Sequence, residues 1–201
     1  MKWLNPVPPP HAMALLAIAV FGVATAACAD TVFAATANTA PPIVVHVCAA
    51  CHGRDGNSAD PSVPSLAGQV APYLERQLTA FQSQRRTGVM SGVAMGLSEA
   101  DMHAAAAWFA KQTVQANRDP SPDSAALRQG AGIYLHGIAD KHVPACASCH
   151  ALRGGGLPPE FPRLAGQHAK YLEAQLRAFR SDSRLSNPNA MMRGVSARLS
   201  D

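Results

Sequence analysis

The sequence predicts an all-α protein built as two tandem copies of one small module. Three observations carry that expectation. A cysteine–histidine motif recurs at a fixed offset and brings its neighbours with it. The segments after each copy repeat their apolar residues at helical spacing, and no stretch alternates polar and apolar residues for long enough to make a strand. The length agrees, since 201 residues allow one large domain or two small ones. Sixteen prolines and fifteen glycines favour short helices joined by turns. A composition of 48% hydrophobic and 15% charged residues excludes a disordered acidic tail and a highly charged coiled coil.

The first element is a leader. Lys2 is the only charge before Asp30, and Met13 to Ala27 is an apolar run. That run is shorter than the roughly 20 residues a membrane-spanning helix needs. Ala27-Cys28-Ala29 has the small-x-small pattern of a cleavage site, and Ala35-Thr36-Ala37 is a second candidate. Residues 1–29, with a limit at 37, therefore read as a secretory signal peptide. Cleavage after Ala29 removes Cys28 and leaves four of the five cysteines.

The repeat then organises everything that follows. Cys48-Ala-Ala-Cys51-His52 recurs as Cys146-Ala-Ser-Cys149-His150, an offset of 98. The same offset carries Pro64 to Pro162, Leu66-Ala-Gly-Gln69 to Leu164-Ala-Gly-Gln167, Tyr73 to Tyr171, Gln77 to Gln175 and Phe81 to Phe179. Beyond this the offset becomes 102: Met90, Val93, Leu97 and Ser98 recur as Met192, Val195, Leu199 and Ser200. The second copy thus holds a four-residue insertion around 184–190. The polar stretch 117–124 divides the copies, giving a first domain over 38–119 and a second over 120–201.

Each copy reads as helical. Val70, Tyr73, Leu74, Gln77, Leu78 and Phe81 keep the rhythm of a half-buried helix, repeated from His168 to about Arg180. Ser98 and Asp101 make a capping box ahead of a helix over 102–114. Leu127–His136 is the opening helix of the second copy. Pro41-Pro42-Ile-Val-Val-His46 is a poor version of that helix in the first. The counterpart of 102–114 is missing from the second domain, because the chain stops at Asp201.

Cys-x-x-Cys-His has three known chemistries. A redox disulfide wants a strand–turn–helix setting and leaves the histidine idle. Zinc wants four pooled ligands and leaves two histidines over. Covalent haem attachment uses every residue: two thiols add to the haem vinyl groups, and the adjacent histidine binds iron. Cys48, Cys51, Cys146 and Cys149 are thus the attachment residues for two haem c groups, with His52 and His150 as iron ligands. For the sixth ligand the candidates are Met90, Met95, Met102 and His103 in the first copy, and His168, Met191 and Met192 in the second. Only Met90 and Met192 are equivalent, so the repeat selects that pair.

These paired haem motifs, with the duplicated Pro-x-Leu-Ala-Gly-Gln and Met-x-x-Val-x-x-x-Leu-Ser patterns, resemble the cytochrome c4 family of periplasmic dihaem class I cytochromes c. The resemblance covers about 47–201. It implies two class I cytochrome domains with His/Met-ligated iron, passing electrons to terminal oxidases. It also implies that the Pro64 and Pro162 carbonyls accept hydrogen bonds from the proximal histidines.

Thioether and imidazole ligands hold low-spin iron in both oxidation states, and filled axial positions leave no substrate site. The expectation is an electron carrier and not an enzyme. The alternative is a dihaem peroxidase-like enzyme with one open iron, and a non-redox haem sensor stands behind it. Partners are redox proteins, a terminal oxidase or a quinol-oxidising complex, with no nucleic acid and a possible peripheral membrane contact. From Asp30 to Asp119 the net charge is −1 (six basic, seven acidic), and from Pro120 to Asp201 it is +4 (ten basic, six acidic). That asymmetry suggests a basic second domain, through Arg177, Arg180 and Arg184, facing an acidic docking surface. Arg76, Arg85 and Arg86 are the first-domain comparison.

Overall fold

The computed structural model describes residues 39–116 and 123–200. The expected leader and the 119/120 domain boundary lie outside them. From Ala40 on, the chain forms one compact unit. Its first module starts with a widened helical turn, Val44–Cys48, that runs directly into α1 (Ala49–His52). Then come α2 (Ala71–Gln82), α3 (Val89–Met95) and α4 (Glu99–Ala110). The second module has α5 (Ser124–His136), α6 (Ala147–His150), α7 (Ala169–Arg180) and α8 (Met191–Ser196), with single 3₁₀ turns at Ala139–Lys141 and Pro188–Ala190. Among the described residues there is no strand. The all-α expectation holds.

Local chemistry explains the helix ends. Ser98 Oγ accepts the Asp101 N–H at 3.1 Å, and the Asp101 carboxylate accepts the Ser98 N–H in return. At its far end α4 stops at Ala110, short of the expected 114. Gln112 turns its amide back onto the Trp108 carbonyl, and Asn57 holds Thr113 O and Gln115 N–H at 3.0 and 2.9 Å. Those bonds draw the chain off the helical path. Asp123 caps α5 by accepting the Ala125 and Ala126 N–H groups, so the helix begins three residues before the expected Leu127.

The core of the first module joins Ala40, Val44, Leu74, Ala105, Ala106 and Phe109. Val44 and Phe109 are fully buried, so the short opening segment does pack into the core, although Pro41 and Pro42 make it poor helix material. Its first bonds run from Val44 and Val45 N–H to the Pro41 carbonyl, which a proline can still supply. In the second module α5 buries no residue, and Leu127 and Leu135 are 49% and 41% exposed.

A pseudo-symmetric polar seam joins the modules. Gln69 pairs both ends of its amide with the Arg163 backbone, at 2.7 and 2.9 Å, and Gln167 does the same with Ser65, at 2.9 and 2.8 Å. Residues 65 and 163 are themselves equivalent in the repeat. Gly68 and Gly166, at φ +60° and +78°, admit Val114 between the copies: a Cβ on either would lie 2.5 Å from that side chain. The repeated Leu-Ala-Gly-Gln is therefore an inter-module clasp.

Arg86 and Arg184 correct a sequence expectation. The sequence places both among the surface charges, yet they are 8% and 4% exposed. Arg86 donates to Tyr171 and Gln175 of the second module, and Arg184 donates to Tyr73 and Gln77 of the first. Each guanidinium also stacks on a phenylalanine of its own module, Phe81 or Phe179. The planar five-donor fork of arginine suits such multiple neutral acceptors. Burial works to raise the Tyr73 phenol, but the Arg184 and Arg86 charges outweigh it and hold the phenol below its ordinary value.

Candidate haem centres

Each haem motif occupies the end of one short helical stretch. Cys48 and Cys51 flank one turn, with His52 at the C-terminus of α1. Cys146, Cys149 and His150 do the same on α6. All four thiols are free, and Cys51 is exposed. Burial pushes the Cys48 and Cys146 thiols up, so both stay protonated at neutral pH.

Both histidines are 6% exposed. His52 Nδ1 donates to the Pro64 carbonyl at 2.8 Å, and His150 Nδ1 donates to the Pro162 carbonyl at 2.9 Å. A carbonyl can only accept, so the proton sits on Nδ1 and the lone pair on Nε2. Burial holds both imidazoles below their ordinary value, and the carbonyl bonds pull weakly the other way. The rings are neutral, oriented and ready to donate an electron pair. These residues fit a covalently held haem: two thiols beside a fixed imidazole whose outer nitrogen is free.

Among the sixth-ligand candidates, Met90 and Met192 take the same place, the second residue of α3 and of α8, and both are half-buried. The others are differently disposed. Met95 and Met191 are 66% and 40% exposed. Met102 is packed in the core, and His103 pairs with Glu75 at 2.9 Å. His168 is 3% exposed and its Nε2 donates to the Ser58 carbonyl of the first module.

Comparison with known proteins identifies the family. A family model described as Cytochrome c matches residues 129–198, and one described as Cytochrome C oxidase, cbb3-type, subunit III matches 35–109. The chain is 40% identical over 157 residues to cytochrome c4 of Thiocapsa roseopersicina, covering 77% of this chain and 80% of that one. The chain belongs to the cytochrome c4 family. It is accordingly a dihaem electron-transfer cytochrome with one haem c in each module. Reduced recombinant cytochrome c4 from Pseudomonas stutzeri has a similar crystal structure, with TM-score 0.72 and 39% identity over 78% of this chain and 87% of that one. A thiosulfate dehydrogenase electron acceptor from Thiomonas intermedia is 38% identical over 165 residues, 81% of this chain and 75% of its own.

Two features of this chain are not legible in its sequence. The glutamine of Leu-Ala-Gly-Gln was legible as a repeat but not as a clasp, because its partner is backbone in the other copy. The burial of Arg86 and Arg184 had no local signal, since arginine in a polar loop reads as solvated.

Proposed function

We propose that this chain is a periplasmic single-electron carrier in which Cys48, Cys51, Cys146 and Cys149 hold the haems. His52 and Met90 are the axial ligands of the first iron, and His150 and Met192 those of the second. The observation that carries the reading is the twice-repeated Nδ1–proline carbonyl bond, which leaves the lone pair of a neutral imidazole on Nε2, next in sequence to two cysteine thiols. When bound, each haem supplies a reversible one-electron couple. The protein's part is to keep both axial ligands in place in either oxidation state, so that little rearranges, and to leave no site for substrate. The Pro64 and Pro162 carbonyls keep the imidazoles from rotating and make them stronger donors. The apolar leader over residues 13–27 supports export to the periplasm, where such cysteines are matured. No helix among the described residues is long and apolar enough to cross a membrane. Partners are redox proteins: a terminal oxidase, or an oxidoreductase of the kind named for the Thiomonas relative. Acid–acetone extraction of denatured protein tests the attachment. Haem should stay with the chain, and Cys51→Ala with Cys149→Ala should abolish holoprotein. Recovery of the haem in the solvent would refute covalent attachment.

A further inference from the structure

The loops from each haem histidine to its carbonyl partner are equally long, 52 to 64 and 150 to 162, yet they are held by different means. In the second module the loop closes on itself. Leu157 and Phe161 exchange backbone bonds at 3.0 and 2.9 Å, and the Phe161 ring meets His150 edge-on with centroids 6.3 Å apart. The first module has Ala59 and Val63 at those places, and no such bridge joins them. Its loop is held from the other module instead. His168, 3% exposed at the start of α7, donates from Nε2 to the Ser58 carbonyl at 2.9 Å. Ser58 is itself buried, and its hydroxyl donates to the Cys51 and Asp60 carbonyls, both at 3.3 Å. The Ser58 N–H donates to Ser65 Oγ at 3.2 Å, and Ser65 is gripped by Gln167, the neighbour of His168. Bonds from 167 and 168 thus reach both ends of the loop: Cys51, just before His52, and Ser65, just after Pro64. The second module has no counterpart. Val70 stands where His168 does, and Gly156 stands where Ser58 does, at φ +81°, where a Cβ would lie 2.8 Å from the Arg163 nitrogen.

We propose that His168 is a positioning residue for the first haem centre: from the second module it braces the loop that carries Pro64, and so sets how firmly the Pro64 carbonyl holds the His52 ring. The proposal rests on the reading of His52 as an axial ligand. An imidazole whose Nδ1–H is bonded to a fixed carbonyl is a stronger electron donor, which favours ferric iron. Without His168 the buried Ser58 carbonyl loses its partner and must shift to find another, because an unpaired buried acceptor is costly. The loop slackens, the Pro64 bond weakens, and the couple moves toward the reduced state. The potential of the first haem therefore depends on the seam between the modules staying closed.

The test is a redox titration of the holoprotein followed by NMR, which resolves the two haems, with the Nδ1–H resonances of His52 and His150 in the reduced protein as a second readout. His168→Val copies Val70. It should raise the first haem's potential, move the His52 Nδ1–H resonance upfield, and leave the second haem unchanged. His168→Gln keeps an N–H donor of similar reach and should restore both values. Ser58→Ala keeps the bond between the modules but cuts the link to Cys51, and should shift the first haem in the same direction as His168→Val. An unchanged first haem in His168→Val overturns the proposal, as do equal shifts at both haems or a failure of His168→Gln to restore them. If His168→Val does not assemble, Ser58→Ala decides, and an unmoved first potential there overturns the proposal. A first iron without a histidine signal in the unaltered protein refutes His52 as ligand instead. Amide exchange over 53–65 then reads the brace by itself: faster exchange in His168→Val supports it, and unchanged exchange overturns it.

Discussion

At the scale of single residues, the proposed methionine ligand decides what kind of haem protein this is. Met90 and Met95 lie on the same helix, yet Met90 is half-buried while Met95 is 66% exposed. Replacing Met90 by Ala should remove the thioether signal of the first haem, and Met95→Leu should leave it. The reverse pattern in the spectra of the two variants would transfer the ligand role to Met95. The small residues of the clasp are equally specific. Gly166→Ala would place a methyl group 2.5 Å from Val114 at a φ of +78°. Crowding and left-handed strain together should lower stability by about 1–3 kcal/mol in a denaturant titration. A midpoint equal to that of the unaltered protein would show that the seam yields freely.

At the scale of elements, the two modules differ in how their opening helices are covered. In the first module, Val44 is sealed by Phe109, Ala105 and Ala106 of α4. In the second, α5 has no buried residue, and its Tyr134 hydroxyl donates to the Ala151 carbonyl. The cap of α4 is more local: Ser98→Ala should cost about 1 kcal/mol by denaturation. The helices over 71–82 and 169–180 were readable almost to the residue, because apolar spacing, not tertiary context, defines them. The end of α4 was not readable. It is set by Asn57, more than fifty residues upstream, and single-segment patterns carry no trace of such a partner. The haem motifs were fully legible because their chemistry is contiguous in sequence, whereas the burial of Arg86 and Arg184 emerges only from the tertiary fold.

At the scale of the whole molecule, the buried seam changes the charge argument. With Arg86 and Arg184 inside, steering of partners falls to exposed residues, among them Arg153, Lys170 and Arg198 on the second module, and Arg54, Arg85 and Lys111 on the first. Screening shortens the reach of such charges to about 8 Å at physiological ionic strength. Electron exchange with an acidic partner should slow as salt rises, and charge reversal of the second-module trio should slow it more than reversal of the first. Equal effects would leave the asymmetry as a solubility feature. The glutamine clasp is the other molecular-scale device. Removing Gln69 and Gln167 together breaks the four bonds to backbone that cross between the modules, each worth about 1 kcal/mol. The double alanine variant should melt in two separate haem transitions. A single coincident transition would show that the arginine hub suffices to couple the modules.

The central claim, two irons closed on both sides by the chain's own histidine and methionine, is tested most directly by the spectrum of the fully oxidised holoprotein. Two low-spin irons per chain are expected, with the weak red absorption of ferric iron bound to a thioether at the amplitude of two centres. A high-spin fraction amounting to one iron per chain would contradict the account. It would point instead to an open site and a haem enzyme.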